Sequence, residues 1–295
     1  MTLRQTVSPP EAQRLISFPS RTAFDRISSS PKFQSRSGTD TFSTLLPTMA
    51  SVEEMDEARG ELILENFKGY THPPVLGKPR DWILPVGFQA RFREFLEFPL
   101  YSTDVFLLGH PKTGTTWVQE MIWLLKNDCD VAASSRELLL QRFPHIELDE
   151  IIAQSAEEPF IVPRSFLKAA MAEQLGKSGR LLKSHLPFAF LPPFLMEISK
   201  VVYIARNPYD VVVSYYYHMK KMHHHEFQGK ISDFVDFFVE GNLLFSPFHQ
   251  HVLDAWERRD SPNLHFLFYE DLKKDLRKEL GKLAEFLDHL EGLLV

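Results

Sequence analysis

The sequence predicts an α/β fold, a mostly parallel central sheet flanked by helices. Two observations carry that expectation. Short, almost unbroken apolar runs recur along the chain: Asp104–Leu108, Lys200–Ala205 and Asn263–Phe268, with a fourth at Arg180–Lys183. The first three are followed by stretches with helical spacing, so the strands alternate with helices as in βαβ units. Strands buried on both faces read as such runs, and their connections cross over through helices.

The first 48 residues carry six basic groups (Arg4, Arg14, Arg21, Arg26, Lys32 and Arg36) against three acidic ones (Glu11, Asp25 and Asp40). Sixteen of those residues are Ser or Thr, and no apolar periodicity persists. Such a segment cannot bury enough apolar surface to offset its ordering entropy, so residues 1–48 are read as a disordered basic extension. An organelle transit peptide, a plain tail and a translated upstream stretch are all consistent with it, the last because Met49-Ala50-Ser51 and the acids after it would make an ordinary start. A globular domain is expected over 49–295.

Within that domain Asp104–Leu108 reads as a buried strand, followed by a Gly/Pro loop and a helix through Lys126. Lys200–Ala205 is the next clear strand, and Asn207-Pro208 opens its helix, with Pro in the first turn where its missing N–H costs nothing. Asn263–Phe268 leads into a Lys/Glu/Leu helix starting near Asp271. In open parallel sheets ligands bind outside the carboxyl ends of the strands, and each candidate motif falls there.

The strongest motif is Gly109-His-Pro-Lys-Thr-Gly-Thr-Thr-Trp117. A Gly-containing loop lets backbone N–H groups converge on an anion, and the helix after it adds the positive end of its dipole. Thr115 and Thr116 add hydroxyls. The loop is P-loop-like, but Gly114 is followed by Thr115, and the lysine stands earlier, at Lys112. The nucleotide triphosphatase pattern places Lys directly after the second Gly, and no acidic residue is evident as a magnesium partner. A phosphotransferase or NTPase therefore loses ground. A plain strand–helix turn would not need a lysine, two threonines and a tryptophan together.

Arg206 ends the second strand and can fork onto a phosphate, with Ser214 two turns into the helix; a simple Arg206–Asp210 pair is the plainer alternative. Two anion sites on neighbouring strand ends imply a nucleotide with two separated anionic groups. Lys183-Ser184-His185-Leu-Pro187 follows the fourth strand. His185 is a candidate general base because it shares that sheet edge, and Lys183 can assist with developing charge. His223-His224-His225 is read as a polar helix end or loop and not as a metal site, since consecutive residues point apart. Tyr215-Tyr216-Tyr217 is expected to divide between core and surface.

Together the Pro-Lys-Thr-Gly-Thr-Thr-Trp loop, Lys-Ser-His-Leu-Pro, the Arg-Asn-Pro…Ser helix and Tyr269-Glu270-Asp271 resemble the cytosolic sulfotransferase family over about residues 60–285. That family moves a sulfuryl group from 3′-phosphoadenosine 5′-phosphosulfate (PAPS) to a hydroxyl or amine. The resemblance implies that Lys112, Thr113, Gly114, Thr115 and Thr116 hold the 5′-phosphosulfate, with Lys112 near the bridging oxygen. Trp117 would stack on adenine, Arg206 and Ser214 would bind the 3′-phosphate, and Tyr269 would contact the nucleotide. His185 would take the acceptor proton while Lys183 stabilises the sulfuryl group. The implied acceptor is small and lipophilic, such as a phenol, steroid or alcohol, and no metal is implied.

Family members carry a further nucleotide-binding segment with Arg-Lys-Gly and Gly-Asp-Trp-Lys, and a dimerisation motif close by. Neither tripeptide nor tetrapeptide occurs here, so the sequence reads as a C-terminally truncated domain, and a non-catalytic remnant is the rival reading. A homodimer fits the family pattern, although its usual segment is missing. The net charge of −6 disfavours a nucleic-acid partner held by bulk charge. The apolar runs are too short for a membrane-spanning helix, and the single cysteine, Cys129, suits a reducing, cytoplasmic setting. Acceptor shape is assigned to loops around residues 70–100, 140–170 and 220–250.

Overall fold

The computed structural model describes residues 50–155 and 179–288, together with Leu167 and Ala170. The chain divides into two units at Leu46/Pro47. The first unit, and with it the reading of 1–48 as disordered, lies outside the described residues.

Two sheets form. The smaller is antiparallel, with β1 (Ser51–Glu53), β2 (Val75–Lys78) and β3 (Trp82–Leu84) in that order. Leu76 pairs with Ile83, and helix α1 (Glu57–Asn66) separates the first two strands. Sequence reasoning missed this sheet because strands of three or four residues leave no readable alternation. Helix α2 (Phe88–Leu96) then leads to the main sheet.

The main sheet is parallel, in the order β5-β4-β6-β7. Strand β4 (Val105–Leu108) is followed by α3 (Thr115–Lys126), and short helical turns precede β5 (Leu181–Ser184). Strand β6 (Lys200–Ala205) runs into α4 (Pro208–Lys221); then come α5 (Ile231–Glu240) and α6 (Phe248–Trp256). Strand β7 (Leu264–Phe268) passes directly into α7 (Tyr269–Lys274) and α8 (Leu276–Phe286). The last helix therefore starts earlier than expected and is broken at Asp275, whose carboxylate caps α8 through the Lys278 N–H at 3.1 Å. Asn207 caps α4 in the same way, accepting from Tyr209 N–H at 3.0 Å, with Pro208 in the first turn as expected.

Register sets the site. Leu107 lies opposite Lys183 on one side and Val202 on the other, and Ala205 lies opposite Phe268. The carboxyl ends of all four strands thus finish along one edge. The chain leaves β4 for β5 on one flank and reaches β6 on the other, which makes the end of β4 the switch point where such sheets bind ligands.

One face of the sheet is covered by α3, α7 and α8, in a core that joins Val118, Ile122 and Leu125 to Leu283, Ala284 and Leu287. At the far edge a fully buried ion pair fastens β4 to β5: Arg180 reaches both oxygens of Asp104, at 2.9 and 2.6 Å. The guanidinium is also stacked 4.5 Å over Tyr101 and 5.0 Å over Phe98. Two more of its protons go to the carbonyls of Ala170 and Pro99. Of the tyrosine run, Tyr215 and Tyr216 are buried and Tyr217 is exposed, the division the sequence suggested.

Candidate active site at the carboxyl edge of the sheet

A cavity of about 650 Å³ opens at this edge. Its walls bring together Lys112, Gly114, Thr115, Thr116 and Trp117 from the β4–α3 loop and Lys183 and His185 from the end of β5. Arg206 and Ser214 come from β6 and α4, and Tyr269 follows β7. Those are ten of the eleven residues singled out from the sequence. Thr113 is the exception: it is fully buried, and its hydroxyl donates to the His110 carbonyl at 2.8 Å. Its side chain closes the loop upon itself.

The loop is shaped by two left-handed residues, Lys112 at φ 70° and Gly114 at φ 107°. A Cβ on Gly114 would meet the Tyr269 ring at 2.7 Å, so glycine is needed there for conformation and for space. Gly114 also stands at the N-cap of α3, which leaves the first N–H groups of that helix without helical partners and turned toward an incoming anion.

Arg206 knits the strand ends together. Its Nη1 donates to the Lys112 carbonyl at 3.2 Å, its guanidinium lies 4.4 Å over the Tyr269 ring, and Asp210 is only marginally paired at 4.0 Å. Its buried Nε has no hydrogen-bond partner among the described residues. Burial and the neighbouring Arg206 charge both lower the Lys112 pKa.

His185 is almost wholly buried, and its Nδ1 lies 2.5 Å from the Gly109 carbonyl. A carbonyl only accepts, so Nδ1 carries the proton and Nε2 keeps a free lone pair. Burial, with Lys183 next, holds this imidazole well below the ordinary histidine range. Lys183 itself is brought down to about 8 by burial, offset by Glu147 and reinforced by Lys112.

Sequence reasoning missed Glu147 and His145. The segment Pro144–Ile146 pairs with Lys183 as an extra bridge beside β5 (Lys183 N–H to Pro144 carbonyl at 2.8 Å), which delivers both side chains to the site. Glu147 accepts from the His185 backbone N–H at 2.5 Å and from His145 Nε2 at 2.7 Å. Burial alone would raise the Glu147 pKa, but His145 and the His185 N–H hold it below the usual carboxylate value. Burial lowers the His145 pKa, while the Glu147 carboxylate that accepts from its Nε2 opposes that shift. No local signal marks either residue, since their placement depends on a pairing between distant segments. Phe245, Leu244, Leu148, Ile151 and Met222 complete an apolar wall.

A larger hollow of about 770 Å³ lies elsewhere, lined by Trp82, Phe92 and Phe188. Two of its arginines are engaged with one residue: Arg80 pairs with Asp254 at 2.8 Å, and Arg258 donates to the Asp254 carbonyl. It brings no base and no anion-binding loop together.

A parallel sheet with an anion-gripping loop at its switch point, flanked by a second cation and a buried imidazole, defines a nucleotide-dependent group-transfer domain. A family model described as the sulfotransferase domain matches residues 102–292. The chain is 34% identical over 253 residues to luciferin sulfotransferase of Photinus pyralis, covering 80% of this chain and 65% of that protein. It is 30% identical over 237 residues to sulfotransferase 1E1 of Homo sapiens, covering 80% and 69%. The match thus spans about two thirds of the length of these relatives. Among solved structures, retinol dehydratase with androsterone and the inactive cofactor PAP superposes with a TM-score of 0.72 at 26% identity, covering 84% of this chain and 79% of that one. Its complex with retinol and PAP gives 0.72 at 27%, covering 82% and 76%. The chain belongs to the cytosolic sulfotransferase family. Among the described residues no helix is long and apolar enough to cross a membrane.

Proposed function

We propose that this protein transfers a sulfuryl group from PAPS to the hydroxyl, or amine, of a small lipophilic acceptor such as a phenol, steroid or alcohol, in the cytoplasm. The observation that carries this reading is the convergence of Lys112, Lys183, His185 and Arg206 on one cavity from three different strand ends. The residues fit the nucleotide: Gly114 clears a cradle that a Cβ would fill, and the buried Arg206 Nε is left for a ligand acceptor. PAPS supplies the activated sulfuryl group. Lys112, the backbone of the loop, Thr115 and Thr116 hold the 5′ end; Arg206 and Ser214 hold the 3′-phosphate. Trp117 stacks on the base, and Tyr269, whose ring meets Trp117 edge-on at 5.8 Å, contacts the nucleotide.

His185 Nε2 takes the acceptor proton while Nδ1 stays on Gly109. Charge that builds on sulfuryl and bridging oxygens is met by the half-buried Lys112 and the buried Lys183. Positioning and electrostatics suffice for such a transfer, by analogy with phosphoryl transfer. The apolar wall of Leu148, Ile151, Met222, Leu244 and Phe245 suits a lipophilic acceptor, in keeping with the androsterone and retinol held by the structural relatives.

The test is calorimetric titration of the full chain with 3′-phosphoadenosine 5′-phosphate (PAP), followed by an acceptor screen with PAPS. Saturable binding and sulfated product are expected. A folded protein that neither binds PAP nor sulfates any phenol, steroid or alcohol would overturn the proposal.

A further inference from the structure

Three histidines on the cavity wall play no part in the proposed transfer. His218 lies in the last turn of α4, on the face that carries Ser214 one turn earlier. Helix α4 stops at Lys221 because Met222 turns extended (φ −84°, ψ 124°), and the chain doubles back. His224 and His225 return beside His218, with ring centroids 4.2 Å apart for the first pair and 5.8 Å for His218 and His225. One ring nitrogen from each of the three lies within 4.8 Å of the others.

The return is held from below. Gly69 N–H donates to the His225 carbonyl at 3.1 Å, and Lys68 N–H to the Glu226 carbonyl at 3.3 Å. A Cβ on Gly69 would come within 2.5 Å of the His223 carbonyl oxygen, so glycine alone lets the two segments approach. Tyr70 packs edge-on against the His225 ring at 5.6 Å. His225 is buried, and its Nδ1 has no hydrogen-bond partner among the described residues, an arrangement that costs free energy until something supplies one. Burial holds all three imidazoles below their ordinary range, so lone pairs, not protons, are available near neutrality.

We propose that His218, His224 and His225 form a binding site for a divalent transition-metal ion of the zinc type on the wall of the cavity. Imidazole ligands select Zn²⁺, Cu²⁺ or Ni²⁺ over magnesium or calcium, which prefer oxygen. A tetrahedral zinc with bonds of about 2.0–2.1 Å sets its nitrogens about 3.3 Å apart. The widest present separation must therefore close by about 1.5 Å. His224, half-buried on the loop, can supply most of that by side-chain rotation. The fourth position is left to the cavity, and an occupied site narrows the space beside His185.

The expectation that a His-His-His run points apart holds for His223, which is exposed and turned to Glu226 at 3.3 Å. It fails for the other two, because their partner is a helix residue outside the run.

The experiment is titration of the chelator-stripped full chain with zinc chloride by calorimetry, and with cobalt chloride by visible absorption. One ion per chain is expected, with the absorption of tetrahedral cobalt. His224→Gln and His218→Gln should each weaken zinc binding at least tenfold, whereas His223→Gln should leave it unchanged. Circular dichroism and PAP titration of each metal-free variant establish that it is folded, and make the result independent of the transfer reaction. No saturable one-to-one binding by the parent chain would overturn the proposal, and so would unaltered binding in a folded His218→Gln/His224→Gln double variant.

Discussion

His185 and Gly109 stand 76 residues apart in sequence, yet the imidazole Nδ1 and the loop carbonyl meet at 2.5 Å. That contact ties the proposed base to the loop expected to grip the nucleotide, and it fixes which ring nitrogen is free. His185→Ala is expected to lower sulfuryl transfer by about 10²–10⁴-fold, the range for loss of a general base. PAP affinity should change little. Normal turnover by the variant, measured as sulfated product by mass spectrometry, would remove the base assignment.

Arg206 touches the Lys112 carbonyl and the Tyr269 ring at once. Arg206→Ala should weaken PAP by about 1.5–3 kcal/mol, roughly ten- to hundredfold, as expected when a hydrogen-bonded charge is lost. Calorimetry reads this directly. An unchanged dissociation constant would favour a purely structural role.

Lys183 is lowered to about 8, chiefly by burial. Its positive charge is present below that pH and lost above it, so transfer should fall on the alkaline side of about pH 8. The neutral, well-depressed His185 predicts no matching loss between pH 7 and 6. Lys183→Met should reduce kcat and abolish the alkaline fall. A pH–kcat profile of the variant parallel to the parent's would contradict the assignment.

Asp104 and Arg180 form a buried pair at the opposite edge of the sheet, remote from the chemistry. Asp104→Asn leaves a buried guanidinium poorly compensated and should cost about 3–5 kcal/mol of stability. Thermal unfolding followed by circular dichroism should show a drop in Tm of many degrees. Retained Tm would mean that the pair is replaceable by its aromatic and carbonyl neighbours.

What the sequence disclosed was local. The buried run of β4, the loop after it and Arg206 at the end of β6 each lie within one stretch, where spacing and residue type suffice. Glu147 and His145 lie in a stretch without periodicity, and become site residues through one bridge to Lys183. Thr113 shows the converse, since a hydroxyl in an anion-binding motif was taken up by the loop's own carbonyl. The antiparallel sheet is too short-stranded to leave a pattern.

The packing of α8 against α3 has a consequence for biosynthesis. When β6 and α4 have left the ribosome, the loop, His185 and Arg206 are all present. Leu283, Ala284 and Leu287, which seat the back of α3, are still to be made. A domain folds as a unit, so the helix that presents the anion site waits for support from residues some 160 positions downstream. The nascent chain would hold the loop, Lys183, His185, Arg206 and Ser214 before it could grip a ligand.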